Sequence, residues 1–184
     1  MASGTISDVQ RARRVLTFGV CGSGKSMLAQ QIADRIGVGY VSIDDFCWDP
    51  GWVQASPEEL DARVIPVLQR DAYAVDSVYR RHNALALERV DVIVGLDYPR
   101  LVSLARLLRR TVRRVIRREP CCNGNIETLG RALSRDSIIA WHFRSFASKR
   151  ERIREWEANP MVPPVVRLKR PRDAEALLAA LAPL

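Results

Sequence analysis

The chain has 184 residues, of which 47% are hydrophobic and 27% are charged, and its formal net charge is +8. This composition is typical of a globular protein and excludes an intrinsically disordered chain. No apolar run is long enough for a transmembrane helix, and residues 1–10 lack a secretion signal, so we expect a cytoplasmic protein that does not bind membranes. We expect one domain over residues 1–184, in which residues 110–160 form a lid and a helical insertion.

The first predicted elements enclose a phosphate-binding loop. An apolar, β-prone run at residues 15–18 precedes the loop, and residues 27–36 place apolar side chains at helical spacing after it. The intervening segment, residues 19–26, reads Gly-Val-Cys-Gly-Ser-Gly-Lys-Ser and matches the Walker A pattern. Backbone N–H groups of such a loop and of the following helix bind phosphate. Lys25 is predicted to be catalytic by reaching the β and γ phosphates, and Ser26 to ligate Mg²⁺. The predicted nucleotide-binding residues are Gly19, Cys21, Gly22, Ser23, Gly24, Lys25, Ser26, Met27 and Arg170.

Further strands and helices alternate along the chain, which predicts a parallel sheet with crossover helices. A strand at residues 39–43 leads into Asp44 and Asp45, and residues 46–52 form a loop. Residues 56–59, Ser-Pro-Glu-Glu, begin a helix with a capping box that runs to about residue 70. The remaining predicted elements are a strand at 72–75 that ends at Asp76, a helix at 83–89, a strand at 90–96, a long helix from about 101, a helical region at 126–157, a strand at 165–168 and a helix at 173–182.

Acidic residues at strand ends are the candidates for chemistry, because ligands of open parallel sheets bind beyond the carboxyl ends of the strands. Asp44 is predicted to accept the proton of an acceptor hydroxyl, and Asp76 to bind the acceptor. Asp97, after the clearest strand, is predicted to hold Mg²⁺ together with Ser26. The alternatives are turn acids at Asp44 and Asp76, and a helix N-cap at Asp97. Trp48 and Trp52 are predicted to form a wall of the acceptor pocket or, alternatively, a hydrophobic plug under a loop.

The long helix is rich in arginine, and most such charge runs are solvated faces. Phosphoryl transfer nevertheless needs positive charge over the transferring group, so we predict that Arg113 and Arg117 are catalytic lid residues. Arg118 accompanies them, and Arg109, Arg110 and Arg114 are second choices. The side chains predicted to face the core are Leu101, Leu104, Leu108, Val112 and Val115.

Several segments together resemble the small bacterial P-loop kinases of the adenylate kinase-like and DNA topology modulation group. They are the phosphate loop and residues 43–52, 92–99, 123–128 and 134–141. The resemblance implies an α/β P-loop NTPase fold like that of nucleoside monophosphate kinases, with a five-stranded parallel sheet flanked by helices, an arginine-rich lid, ATP and Mg²⁺. The group carries Asp-Gly-Asn-Tyr where this chain has Asp-Ser-Val-Tyr at residues 76–79, a departure that concerns recognition of the acceptor.

The predicted function is an ATP-dependent kinase that transfers the γ-phosphoryl group to a nucleotide or a small hydroxyl-bearing acceptor. The alternative is a nucleic-acid-binding or regulatory P-loop ATPase, because the basic surface favours polyanions. The chain has no recognisable nucleic-acid motif and few aromatic residues among its arginines, so a nucleic-acid partner is not favoured. The oligomeric state is left open.

Overall fold

Short strands and longer helices alternate through the chain, whose computed structural model describes residues 3–132, 134–135 and 137–181. In chain order the strands are β1 (Arg14–Gly19), β2 (Tyr40–Val41), β3 (Trp48–Asp49), β4 (Val53–Gln54), β5 (Tyr73–Asp76), β6 (Val92–Leu96), β7 (Pro120–Cys121), β8 (Asn125–Ile126) and β9 (Val165–Leu168). The helices are α1 (Ile6–Arg11), α2 (Lys25–Ile36), α3 (Asp44–Cys47), α4 (Pro57–Leu68), α5 (Asn83–Arg89), α6 (Arg100–Arg117), α7 (Leu129–Ala132), α8 (Ile138–Ala158) and α9 (Pro171–Ala180).

A five-stranded parallel sheet in the order β2-β5-β1-β6-β9 forms the centre of the fold. The strand that enters the phosphate loop, β1, is its middle strand, so functional groups at the carboxyl ends of β5 and β6 lie on either side of the loop. This arrangement confirms the predicted parallel sheet and the strands assigned at β5, β6 and β9. None of the helices in the described part of the chain combines the length and apolar character needed to span a bilayer.

The sheet is covered by helices on both faces, as its uninterrupted apolar strands require. Alternate residues of a strand point to opposite faces. Leu16 and Ile93 therefore belong to the core under α4 and α8, whereas Val15, Val92 and Val94 belong to the core under α2 and α9. Both cores stop at the carboxyl edge of the sheet, where polar loops take over.

Local sequence signals set several element boundaries. Ser56 Oγ accepts a hydrogen bond from the backbone N–H of Glu59, and the Glu59 carboxylate accepts one from the Ser56 N–H at 2.8 Å, so the predicted capping box is confirmed. The predicted second strand is shorter than expected, and Asp44 begins the helix α3 instead of following a strand directly. The predicted helical region at 126–157 is divided into α7 and α8, and it follows the hairpin β7–β8.

The prediction for the buried face of α6 was wrong. Ser103, Leu107 and Thr111 are the buried residues of α6, whereas Leu101 and Val112, predicted to face the core, are 80% and 56% exposed. The cause is the partner of the helix. α6 packs its small and polar face directly on the phosphate loop, which allows a close approach that larger side chains would prevent.

Candidate active site

The phosphate loop joins β1 to α2, and its backbone conformation explains its glycines. Gly22 and Gly24 have φ angles of +81° and +95°, in the region that favours glycine. α2 begins at Lys25 without a side-chain cap, so the first N–H groups of the helix are free to bind an anion. The chain therefore forms the phosphate cradle that the sequence predicts.

Gly22 also makes a close packing contact possible. A Cβ atom at this position would lie 2.7 Å from Leu107 Cβ and would collide with the Ser103 carbonyl oxygen. The absence of a side chain at Gly22 therefore allows α6 to lie against the loop. This contact determines which arginines of α6 can reach the nucleotide phosphates.

Arg106 and Arg110 are the α6 arginines that face the phosphate loop. Arg106 Nη1 donates a hydrogen bond to the carbonyl oxygen of Ser23 at 3.1 Å. Arg110 is close enough to Lys25 for its charge to lower the pKa of that lysine. The two arginines are four residues apart and share one helix face. Arg110 was a second choice in the sequence prediction and Arg106 was missed, although this spacing could have indicated both.

The arginines predicted to be catalytic, Arg113 and Arg117, lie farther along α6 and point to solvent. Arg113 Nε forms an ion pair with Glu119 Oε2 at 3.0 Å, and Arg117 Nη1 lies 3.9 Å from Glu119 Oε1. Arg118 ends the helix in a left-handed conformation. The structure does not bring these residues to the phosphate loop, so their catalytic role stays a prediction.

Lys25 lies among acidic groups that keep it protonated. Removal from water lowers its pKa, but Asp44 and other nearby acidic groups, including Asp76, outweigh that effect and raise the pKa overall. A lysine that binds phosphate must carry its charge, and this environment ensures that it does.

Asp76 connects the end of β5 to the phosphate loop. Tyr40 Oη donates a hydrogen bond to Asp76 Oδ2 at 3.0 Å, and the Ile43 N–H donates one to Oδ1 at 3.1 Å. Burial raises the pKa of Asp76, while the charge of Lys25 and the hydroxyl of Ser26 act in the opposite direction. Asp76 thus stands beside both functional side chains of the loop. Its predicted role in acceptor binding is untested.

Asp44 lies across from the phosphate loop in the first turn of α3. Tyr79 Oη donates a hydrogen bond to Asp44 Oδ1 at 3.4 Å. Asp44 and Lys25 line the same cavity, which has a volume of about 440 Å³. A carboxylate in this position can accept a proton from a hydroxyl group held in the cavity.

Helix α8 forms the opposite wall of this cavity, which sequence reasoning missed. The lining residues recur at intervals of three or four, so they occupy one face of the helix. That periodic polar face was the available sequence signal. The α8 residues that line the cavity are Trp141, Arg144, Ser145, Ser148, Lys149 and Arg152.

Asp97 is 3% exposed and is surrounded by arginines. Its carboxylate forms an ion pair with Arg150, one with Arg154 at 3.2 Å and one with Arg167 at 3.5 Å. These contacts tie β6 to α8 and β9. The predicted pairing of Asp97 with Ser26 around Mg²⁺ has no support in these contacts, because Ser26 lies beside Asp76 instead.

Trp48 and Trp52 lie on the β3–β4 hairpin and do not line the cavity. Their rings meet edge to face with centroids 5.7 Å apart, and the Arg131 guanidinium lies 4.1 Å from the Trp52 ring centroid. Asn125 joins this hairpin to β7–β8 by accepting a hydrogen bond from the Trp52 N–H at 2.7 Å and donating one to the Asp49 carbonyl oxygen at 3.0 Å. The predicted acceptor wall is thus a junction of two hairpins.

The other predicted nucleotide contacts lie outside the loop. Arg170 is exposed just before α9, where its N–H donates a hydrogen bond to Asp173 Oδ2 at 2.9 Å. Met27 is 68% exposed on α2. Their binding of the nucleotide is untested.

Two buried polar atoms show that the loop fits phosphate. Within the described residues, neither Ser23 Oγ nor Arg110 Nε has a hydrogen-bond partner, and both lie where the loop meets α6. Phosphate oxygens would supply acceptors for both. No cluster of three or more metal-ligating side chains occurs in the described part of the chain. A Mg²⁺ site made of one hydroxyl, one carboxylate, water and phosphate needs no such cluster.

Comparisons with known proteins address the fold. No protein-family model matches the sequence, and no curated protein is significantly similar to it. The structure is similar to a gluconokinase from Sinorhizobium meliloti 1021, with a TM-score of 0.51 and 17% sequence identity over 92% of this chain and 93% of that one. For a sugar kinase from Janibacter sp. HTCC2649 the TM-score is 0.47, with 18% identity over 92% of this chain and 98% of that one. The chain therefore has the α/β fold of a P-loop kinase, whereas the resemblance to the adenylate kinase-like group is not confirmed.

Proposed function

We propose that this chain is an ATP-dependent kinase that transfers the γ-phosphoryl group to a hydroxyl group of a small acceptor. The observation that carries the proposal is the cavity that places Asp44 opposite Lys25 and the phosphate loop. The name of the similar gluconokinase is consistent with a small hydroxyl-bearing acceptor.

The residues divide into a donor side and an acceptor side. Lys25, Arg106 and Arg110 neutralise charge on the ATP phosphates, which is the main requirement of phosphoryl transfer. The acceptor oxygen forms a bond to the γ-phosphorus as the bond to the bridging β–γ oxygen breaks and ADP leaves. The hydroxyl proton passes to Asp44, whose position in α3 is fixed by Tyr79.

Magnesium fits this site through Ser26 and Asp76, whose oxygen atoms are of the type that Mg²⁺ prefers. When bound, Mg²⁺ neutralises charge on the β and γ phosphates. The carboxylate of Asp97 is already engaged by three arginines, so we assign it to the stability of the fold.

Membership of the adenylate kinase-like and DNA topology modulation group, a cytoplasmic location and the use of Mg²⁺ with ATP are parts of this proposal. So is the organisation as one domain in which residues 110–160 contribute a lid. The contact between α6 and the phosphate loop supports a lid whose arginines act from the side of α6 that faces the loop.

The test is ADP release by the purified chain with ATP, Mg²⁺ and a panel of sugars, sugar acids, nucleosides and mononucleotides. We expect acceptor-dependent turnover, with kcat reduced about 10²- to 10⁴-fold in Asp44→Asn because the proton acceptor is lost. Asp45→Asn removes the adjacent, exposed carboxylate and should leave kcat unchanged. A folded, ATP-binding chain that no acceptor stimulates, or an Asp44→Asn variant with wild-type kcat, would contradict the proposal.

A further inference from the structure

The cavity beside Asp44 contains far more positive than negative charge. Asp44 is the single acidic residue among the described residues that line it. The phosphates of ATP account for Lys25, but they do not reach every cation of the α8 wall and of the turn before α5. The cationic residues that line the cavity are Lys25, Arg80, Arg144, Lys149 and Arg152.

Lys149 lies at the centre of this wall and lacks an acidic partner. Its Nζ lies 4.2 Å from the centroid of the Phe18 ring, and no carboxylate in the described part of the chain forms an ion pair with it. Burial, with a smaller contribution from the charge of Lys25, lowers the pKa of Lys149 to about 8. A partly desolvated ammonium of this kind is stabilised when an anion binds beside it.

Arg152 and Arg80 extend the positive surface on either side of Lys149. Arg152 Nε interacts with Glu155 Oε2 at 3.4 Å, a pair on the outer part of α8 that leaves other guanidinium N–H groups available. Arg80 is exposed, and none of the ion pairs among the described residues includes it. The three cations come from two separate elements, so the charge is concentrated by the fold and not by a run of sequence.

We infer that the acceptor carries an anionic group, a phosphate monoester or a carboxylate, which Lys149 and Arg152 bind while the acceptor hydroxyl faces Asp44. The inference rests on the proposed function, since it concerns the acceptor of the same site. The cavity volume of about 440 Å³ lies within the range of small-molecule sites, so the acceptor is a metabolite or a mononucleotide and not a polymer.

Matched acceptors separate charge from shape in the first experiment. Glucose, gluconate and glucose 6-phosphate form one series, and adenosine and AMP form another. We expect the best acceptor to be an anionic member, with a KM at least tenfold below that of its neutral counterpart. Lys149→Met should raise this KM at least tenfold, Lys149→Arg should restore it, and the KM for ATP should change less than threefold. Arg172→Gln removes an exposed charge outside the cavity and should change neither value.

A second experiment does not depend on turnover. The phosphate loop is first filled with a non-hydrolysable ATP analogue, and the modification of Lys149 by an amine reagent at pH 8 is then measured with and without inorganic phosphate or gluconate. Protection of Lys149 by either anion, lost in Arg152→Gln, supports the anion site even if no acceptor is phosphorylated and the proposed function fails. A neutral acceptor that works best and is insensitive to Lys149→Met would overturn the inference while the kinase proposal stands. Absence of protection together with absence of anionic turnover would also overturn it.

Discussion

Replacement of Asp97 by asparagine distinguishes the two roles that this residue can have. The sequence predicts a Mg²⁺-side carboxylate, whereas the structure places Asp97 against Arg150, Arg154 and Arg167. Asp97→Asn keeps the shape of the side chain and removes its charge, which leaves three guanidinium groups facing one another without an anion between them.

The expected loss of stability follows from the burial of this cluster. Removal of one partner from a fully buried ion pair costs about 3–5 kcal/mol. Asp97 is buried, but the side chains of its partners are 29%, 52% and 21% exposed, and water offsets part of the loss. We therefore expect the free energy of unfolding to fall by about 2–3 kcal/mol, which lowers Tm by about 4–12 °C for a chain of this size.

Two measurements on the same variant decide between the roles. Chemical denaturation gives the free energy of unfolding, and the Mg²⁺ dependence of ATP turnover gives the concentration of half-maximal activity. We expect a large fall in the first and less than a twofold change in the second. Asp34→Asn, which alters an exposed carboxylate on α2 that accepts a hydrogen bond from Gln30, should affect neither. A variant as stable as the wild type that needs at least tenfold more Mg²⁺ would refute the structural role.

Three further substitutions test the contacts around the phosphate loop. Gly22→Ala should abolish ATP binding in calorimetry and destabilise the chain by about 1–3 kcal/mol more than Gly51→Ala, because both glycines have positive φ angles but only the first is crowded by α6. Ser77→Gly should raise the free energy of unfolding by about 0.5–1 kcal/mol, since Ser77 has a φ angle of +101°, and Ser77→Ala should give no gain. Arg106→Gln should raise the KM for ATP about tenfold, whereas Arg113→Gln should leave it unchanged; equal effects would contradict the assignment of Arg106 to the loop.

Much of the fold could be predicted because its signals are local. The apolar strand at Val92–Leu96 and the capping box at Ser56 depend on residues that are close in sequence, and the structure confirms both. The phosphate loop is likewise a contiguous pattern, and its consequences for the backbone are seen at Gly22 and Gly24. Local signals therefore identified the elements and the donor side of the site.

The orientation of α6 could not be predicted in this way. Its sequence offers a strongly apolar stripe, and the usual inference is that such a stripe faces the core. The structure instead buries Ser103, whose hydroxyl lies 3.0 Å from His142 Nε2 on α8. A polar contact of this type between two helices, 39 residues apart in the chain, has no signature in either segment alone. The error over the lid arginines has the same origin, since a rotation of α6 changes which arginines reach the loop.

The turn after Asp76 explains why the acceptor side was the hardest to predict. Ser77 keeps a positive φ angle at the position where the resembled group has glycine, so the backbone that holds Asp76 beside Ser26 is retained at the cost of strain. The next position carries Val78, which is buried and lines the cavity where that group has an asparagine. The turn therefore still positions the carboxylate, but it no longer supplies an amide to the acceptor. Polar contacts to the acceptor must come from another wall of the cavity, and the cationic face of α8 is the wall that offers them.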